Sequence, residues 1–365
     1  MCAAGDSGGM EIFMKYTDYF NSDKQMTSAK CKNIAKNYIS GRLRFAQFAI
    51  TNACMARCSF CDIWRQQPKV FVDKEKTLIA IDKLADLGVS HLIFTGGDPL
   101  NHKDTVAFVE RAAQHNIHTM VLNAAPRLLL RRLVKNYRPD EYIVKQLDNA
   151  GCDIIAISFD SGDPETMEEQ RQLPNLMAEM TQAMKILKTT NIKTAACVLI
   201  WDDNYDKIED VCERATNMGF DLICFNYPTF SNSEVYPLGG KWVSLSNENV
   251  ITGLKKVIQL KKEKKYNIVN EISSMENIIN YLQDPASAKF SCYGGQRTLF
   301  VDWFFDVHPC MQVPDTIGNI FTLEEKDLVR PHCNECNMSW FRDLSMYFND
   351  GHSISDVASS VLKLI

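Results

Sequence analysis

No stretch of the 365-residue chain is apolar for long enough to cross a membrane. The opening MCAAGDSGGMEIFMKY lacks the basic-then-apolar order of an export signal and reads as a frayed tail, so a cytoplasmic protein is expected. Neither charge sign dominates. Forty Lys and Arg against 45 Asp and Glu give a net charge of −5, which leaves no global footprint for nucleic acid or an anionic membrane. The nearest approach is PRLLLRRLVKNYRPD (126–140), where Arg127, Arg131, Arg132, Lys135 and Arg138 fall on an expected helix. A solvated face explains that segment first, an anionic substrate or partner patch second. Internal repeats and low-complexity tracts are absent as well.

What the chain does have is cysteine, thirteen of them. Disulfides would suit a secreted protein, but nothing directs export, so clustered thiols point to metal. Cys54, Cys58 and Cys61 stand together in TNACMARCSFCDIW (51–64), with no histidine and no fourth thiolate in the loop. A structural zinc takes four ligands, whereas an iron-sulfur cube held by three leaves one iron open. A second set, Cys292, Cys310, Cys333 and Cys336, lies near the C-terminus.

From residue 44 short β-branched runs alternate with amphipathic stretches, the pattern of repeated β-α units on a parallel sheet. Six strands are predicted, at 43–51, 91–97, 118–124, 152–161, 194–200 and 221–228, with crossover helices such as 73–88 and 205–219. Right-handed crossovers without a change of pattern curl into an open barrel, and the strands end in TGGD, LNA, SFDS and FNYP, polar residues at one mouth. The fold class is therefore α/β, a partial (β/α)6 TIM-like barrel followed by a small C-terminal module. The expected divisions are an N-terminal extension (1–43), the barrel (44–235), a helical connection (236–290) and the cysteine-bearing module (291–365).

The spacing of Cys54, Cys58 and Cys61 past a first barrel strand, Phe60 before the third cysteine, and TGGDP ending the second strand resemble the radical S-adenosylmethionine (SAM) enzymes. The resemblance implies a 4Fe-4S cluster on the three cysteines, its open iron chelated by S-adenosylmethionine. It also implies reductive cleavage to a 5′-deoxyadenosyl radical that abstracts a substrate hydrogen, with flavodoxin or ferredoxin as reductant. Carried over by motif, Phe60, Ile63, Gly96, Gly97 and Asp98 are cofactor contacts; Asp98 stands where the family often has Glu. Ser158 and Asp160, alternate residues of the fourth strand, would point to one side and bind ribose or the methionyl carboxylate. Asn123 and Asn226 are further strand-end candidates, and a satisfied strand-end polar group is the bland alternative for all four.

The C-terminal pieces CYGGQRTLFVDWFFDVHPC, IGNI and CNEC resemble the SPASM or twitch auxiliary-cluster module. Four cysteines would close one auxiliary 4Fe-4S cluster, with zinc as the alternative, and a closed cluster suits electron transfer. Module order over 45–345 resembles the aminocyclitol dehydrogenases, so oxidation of a small hydroxylated molecule is the leading expectation. The alternatives are a peptide maturase, an epimerase using a lumenal thiol on Cys197 or Cys224, carbon-carbon bond formation, lipid modification, and a zinc-stabilised scaffold. Cys2, Cys31, Cys152, Cys197, Cys212 and Cys224 read first as small buried hydrophobes.

Overall fold

The structure is a computed structural model and describes residues 27–131, 142–228, 236–237, 246–286, 290–330, 333, 338–346 and 348. Its first half alternates helices and strands: α1 (Ser28–Ile39), β1 (Arg44–Thr51), α2 (Lys74–Asp86), β2 (Val89–Gly96), α3 (Thr105–Gln114), β3 (His118–Asn123), α4 (Ile143–Asn149) and β4 (Ile154–Ser158). Then come α5 (Pro164–Arg171), α6 (Leu176–Leu187), β5 (Lys193–Leu199), α7 (Ile208–Met218), β6 (Leu222–Asn226), α8 (Asn247–Lys262) and α9 (Ile272–Gln283). The C-terminal part contributes β7 (Thr298–Val301), β8 (Asp306–His308), β9 (Gly318–Asn319) and α10 (Ser339–Met346). All six strands expected from the sequence form, within a few residues of their predicted limits. None of the described helices is long and apolar enough to cross a membrane.

The sheet runs β6-β5-β4-β3-β2-β1-β7-β8-β9, parallel from β6 to β7 and antiparallel beyond. Helices cover its outer face, so β1 and β2 are buried at every position and read in sequence as continuous apolar runs. Ala46, Phe48, Ile50, Ile155, Ile157, Ala196, Val198, Ile223 and Phe225 face the helices in one large core. Ile154, Ala156 and Ala195 form a separate apolar cluster, packed by Met120, Leu122, Cys197 and Leu222. Those residues alternate with the first set along the strands, so they line the lumen. The partial barrel is thus an α/β fold whose strand ends share one mouth.

Two features lie beyond the sequence reading. Residues 298–301, assigned there to the C-terminal module, add a seventh parallel strand to the barrel sheet: Phe45 pairs with Thr298 and Phe48 with Val301. At the other edge, the segment between α8 and α9 covers β6. Ile223 N donates to Asn267 O (2.9 Å) and Val269 N to Ile223 O (3.0 Å). The Asn270 side chain then continues the ladder, accepting from Phe225 N (2.7 Å) and donating to Phe225 O (2.8 Å). An edge satisfied this way offers no free backbone for pairing with another chain. Of the basic segment 126–140, only a short helical turn at Pro126–Leu128 and the residues to Arg131 are described; Arg132, Lys135 and Arg138 lie outside the described residues.

Candidate functional site

β1 delivers the chain directly into the first cysteine loop, and two polar residues staple that loop's base. Thr51 Oγ1 donates to Val70 O (2.6 Å) and accepts from Ala53 N (3.0 Å). Asn52 donates to Pro68 O (3.0 Å) and accepts from Val70 N (2.8 Å). Inside the loop, Cys61 N and Trp64 Nε1 both donate to Cys58 O, at 3.3 and 3.1 Å. The thiols therefore come within electrostatic reach of one another. Burial raises all three; the Cys58 charge raises Cys54 further and helps push Cys61 to about 11. Among the described residues no three His, Cys, Asp or Glu side chains are gathered as closely as one metal ion requires. A single ion bonded at about 2.3 Å to each sulfur would need that closeness.

Gly96 and Gly97 form the facing wall, and their geometry gives a reason for glycine at both. Gly96 has φ +132°, and a Cβ there would lie 2.1 Å from Thr51 O. At Gly97 a Cβ would lie 2.4 Å from Ala53 O and 2.9 Å from Asn52 C. Gly97 N donates to Thr51 O (2.7 Å) and Asp98 N to Ala53 O (2.8 Å), so the end of β2 is laced to the backbone just before Cys54. Backbone approach to backbone requires these glycines. Asp98, expected as a cofactor contact, is hydrogen-bonded within the protein. Its Oδ1 accepts from Leu100 N (3.0 Å), and its Oδ2 from Asn123 Nδ2 (3.0 Å), Ala124 N (2.9 Å) and Ala125 N (3.1 Å). With four donors filling it, the carboxylate ties the ends of β2 and β3 together; burial raises it to about 6 against those hydrogen bonds. Asn123 keeps its place as a candidate, since its Oδ1 is buried with no hydrogen-bond partner.

β4 ends at Ser158, so Asp160 lies two residues past the strand rather than on it. Asp160 instead accepts from Leu199 N (2.8 Å) and pairs with Arg171, whose Nε lies 3.0 Å away. Arg171 Nη1 reaches Cys58 Sγ at 3.7 Å, and its guanidinium stands 5.1 Å from the Phe60 ring centroid. Phe60 also meets Trp201 edge-on at 5.2 Å. Ile63 is buried in the main core, where it packs the loop from beneath. Asn226 Oδ1 accepts from Ser339 Oγ (2.8 Å), which joins the end of β6 to α10. The sequence reading passed over Arg171 and also Tyr236, whose hydroxyl donates to Gly96 O (3.2 Å) while its ring packs on Phe300 and Trp303.

The second cysteine set brackets the β7–β8 hairpin as its spacing suggests. Gly294 N donates to Cys292 Sγ (3.2 Å) and Gln312 N to Cys310 Sγ (3.3 Å), while Cys292 N donates to Cys333 O (3.4 Å). Cys310 feels both Cys292 and Cys333 and is pushed, mainly by burial, to about 11. Cys336 lies outside the described residues. Because Thr298 pairs with Phe45 and His308 with Phe300, Cys292 and Cys310 sit by the start of β1, whereas Cys54 lies past its end. The two groups face the barrel from opposite ends. Between them the lumen holds Cys197, the direct register partner of Cys224.

These residues fit a cube with an open position: three soft thiols on one pinned loop, a side-chain-free wall against it, and one unpartnered buried acceptor at Asn123. The Radical SAM superfamily model matches residues 48–215, which contain that loop and wall. Residues 48–215 are thus similar to the radical SAM superfamily. Among its relatives, PqqA peptide cyclase of Granulibacter bethesdensis is 24% identical over 47% of this chain and 43% of the relative. The sporulation killing factor maturation protein SkfB of Bacillus subtilis is 28% identical over 47% of this chain and 39% of its own. The chain thus spans less than half the length of these curated relatives. Streptococcus suis SuiB bound to its precursor peptide SuiA shares the fold, with a TM-score of 0.58 at 15% identity over 88% of this chain and 76% of that one.

Proposed function

We propose that this chain is a radical SAM enzyme that oxidises a peptide in the barrel lumen, removing two hydrogens as it forms a cross-link or a double bond. In this reading residues 44–235 are the radical SAM barrel, 236–290 a helical connection, 291–365 an auxiliary-cluster module and 1–43 an N-terminal extension. The enzyme works in the cytoplasm with a flavodoxin or ferredoxin as reductant. When bound, a cluster on Cys54, Cys58 and Cys61 with its S-adenosylmethionine would supply a radical that takes one hydrogen atom, and a second cluster on Cys292, Cys310, Cys333 and Cys336 would accept the remaining electron as the second hydrogen leaves as a proton to solvent. The chain's own part is positional. Thr51, Asn52 and the two glycines fix the loop, Asn123 and Ser158 offer polar atoms at the mouth, and the apolar lumen excludes water from the reacting carbon.

The observation that carries the oxidative part is the placement of two cysteine groups at opposite ends of β1 with the lumen between them. A substrate lying there has a radical source on one side and an electron acceptor on the other. For the substrate class, the peptide cyclase, the killing-factor maturation protein and the precursor-bound SuiB favour a peptide over the small hydroxylated molecule expected first. One observation favours a second reading, epimerisation: Cys197 and Cys224 stand side by side on β5 and β6, with burial pushing Cys197 to about 12, so it stays a hydrogen-bearing thiol. The test is anaerobic turnover of the reduced protein with S-adenosylmethionine and short peptides encoded beside its gene. A peptide product lighter by two hydrogens, formed with deoxyadenosine, supports the proposal. A product of unchanged mass in H2O that gains one deuterium at an α-carbon in D2O establishes epimerisation instead, and stimulation only by hydroxylated small molecules removes the peptide.

A further inference from the structure

Arg171 ends α5 with only 6% of its surface exposed, although burying a charge is unfavourable unless it is paired. Asp160 is its counter-charge, held in turn by Leu199 N at 2.8 Å. Two guanidinium nitrogens face Asp160, and the third, Nη1, is left for Cys58 Sγ at 3.7 Å. The rest of the contact surface also belongs to the cysteine loop: the plane lies over Phe60 at 5.1 Å, and Arg57 N donates to Arg171 O at 3.0 Å. The three thiols are not equivalent in this respect. Cys54 has a backbone donor at Ala56, and Cys61 has Ile63 and Trp64, whereas Cys58 has a cationic side chain in addition to its own backbone N–H.

We propose that Arg171 is a positioning residue that raises the reduction potential of the cluster held by this loop, acting through the Cys58 sulfur, and that Asp160 attenuates it. The inference rests on the reading of Cys54, Cys58 and Cys61 as the cluster ligands. Hydrogen bonds to ligand sulfur and local charge are among the terms that set such potentials. Reduction adds one negative charge to the cluster, and a donor bearing positive charge stabilises that charge more than a neutral one does. Solvent ions screen a buried pair poorly, so the effect survives at physiological salt. Asp160 opposes it, since its own negative charge lies against the same guanidinium. Two substitutions should therefore move the potential in opposite directions, which a purely structural role does not do.

The experiment is potentiometric titration of the reconstituted full chain, followed by electron paramagnetic resonance, using the signal that changes when S-adenosylmethionine is added. Arg171→Met should shift the reduction equilibrium about tenfold against reduction, equivalent to about 59 mV downward for one electron. Asp160→Asn should shift it upward by a similar factor, and Arg171→Lys should stay within about threefold of the parent. Shifts of the same sign in Arg171→Met and Asp160→Asn, or Arg171→Met within threefold of the parent, overturn the inference. Loss of cluster iron from Arg171→Lys as well as Arg171→Met also overturns it, by making the role structural. Iron analysis separates this from failure of the underlying reading: equal iron in the parent and in a Cys54→Ala/Cys58→Ala/Cys61→Ala variant would mean that the loop holds no cluster.

Discussion

Gly97→Ala adds one carbon where the structure leaves no room. The new Cβ would stand 2.4 Å from Ala53 O, 2.6 Å from Ala53 C and 2.9 Å from Asn52 C, all backbone atoms. No side-chain rotation relieves such a contact. Restoring an ordinary separation requires a backbone shift of about 1 Å, and overpacking of this kind typically costs about 1–3 kcal/mol. The shift loads two hydrogen bonds, Gly97 N to Thr51 O at 2.7 Å and Asp98 N to Ala53 O at 2.8 Å, each worth about 1 kcal/mol net. A total near 2–4 kcal/mol corresponds to a Tm lowered by roughly 3–5 °C in a chain of this size. Because Ala53 immediately precedes Cys54, the displaced backbone is that of the ligand loop itself. The expected result is reduced iron at the first site together with the lower Tm, read by iron analysis and calorimetry. A Gly97→Ala protein with parental Tm and full iron would refute the packing argument, and a full complement of iron with weakened S-adenosylmethionine binding would return Gly97 to a direct cofactor role.

Asn270→Ala should cost about 2–4 kcal/mol in denaturant unfolding, because it strips both Phe225 hydrogen bonds from a buried sheet edge; a change under about 0.5 kcal/mol would show that the edge does not depend on it. Burial raises Asp343 from 3.8 to about 7 despite its bonds from Ser274 and Asn270. The folded state therefore holds that proton more tightly than the unfolded one, and the stabilisation is full below the unfolded value and lost as pH rises through about 7. The stability difference between the parent and Asp343→Asn should accordingly shrink or invert by up to about 4 kcal/mol between pH 4 and 8, and a flat difference would contradict the assignment.

How much of this was legible in the sequence depended on the range of the interaction. Strands such as HLIFTGG are buried on both faces, so each advertises itself locally as an apolar run, and the spacing of Cys54, Cys58 and Cys61 needs only one loop. β7 gave no such signal as a barrel strand, since its partner Phe45 lies some 250 residues earlier and four residues carry no period of their own. Arg171 was invisible for the same reason: its meaning comes from Cys58, 113 positions away. The hydrogen-bond partners of Asp98 are distant in sequence too, since three of its four donors arrive from the last residue of β3 and the two residues after it. Asp160 is expected on the fourth strand, but that strand ends two residues sooner, and its carboxylate is engaged by Arg171 and Leu199 N, which the sequence does not reveal.

The central claim is that the loop after β1 holds the cluster at which S-adenosylmethionine is cleaved. It is tested most directly by release of 5′-deoxyadenosine from the reduced, anaerobically reconstituted protein, compared with the variant in which Cys54, Cys58 and Cys61 are all alanine. The account predicts that the parent carries about eight iron per chain and releases deoxyadenosine, while the variant keeps about four iron and releases none. Deoxyadenosine release from the variant at the parental rate would contradict it.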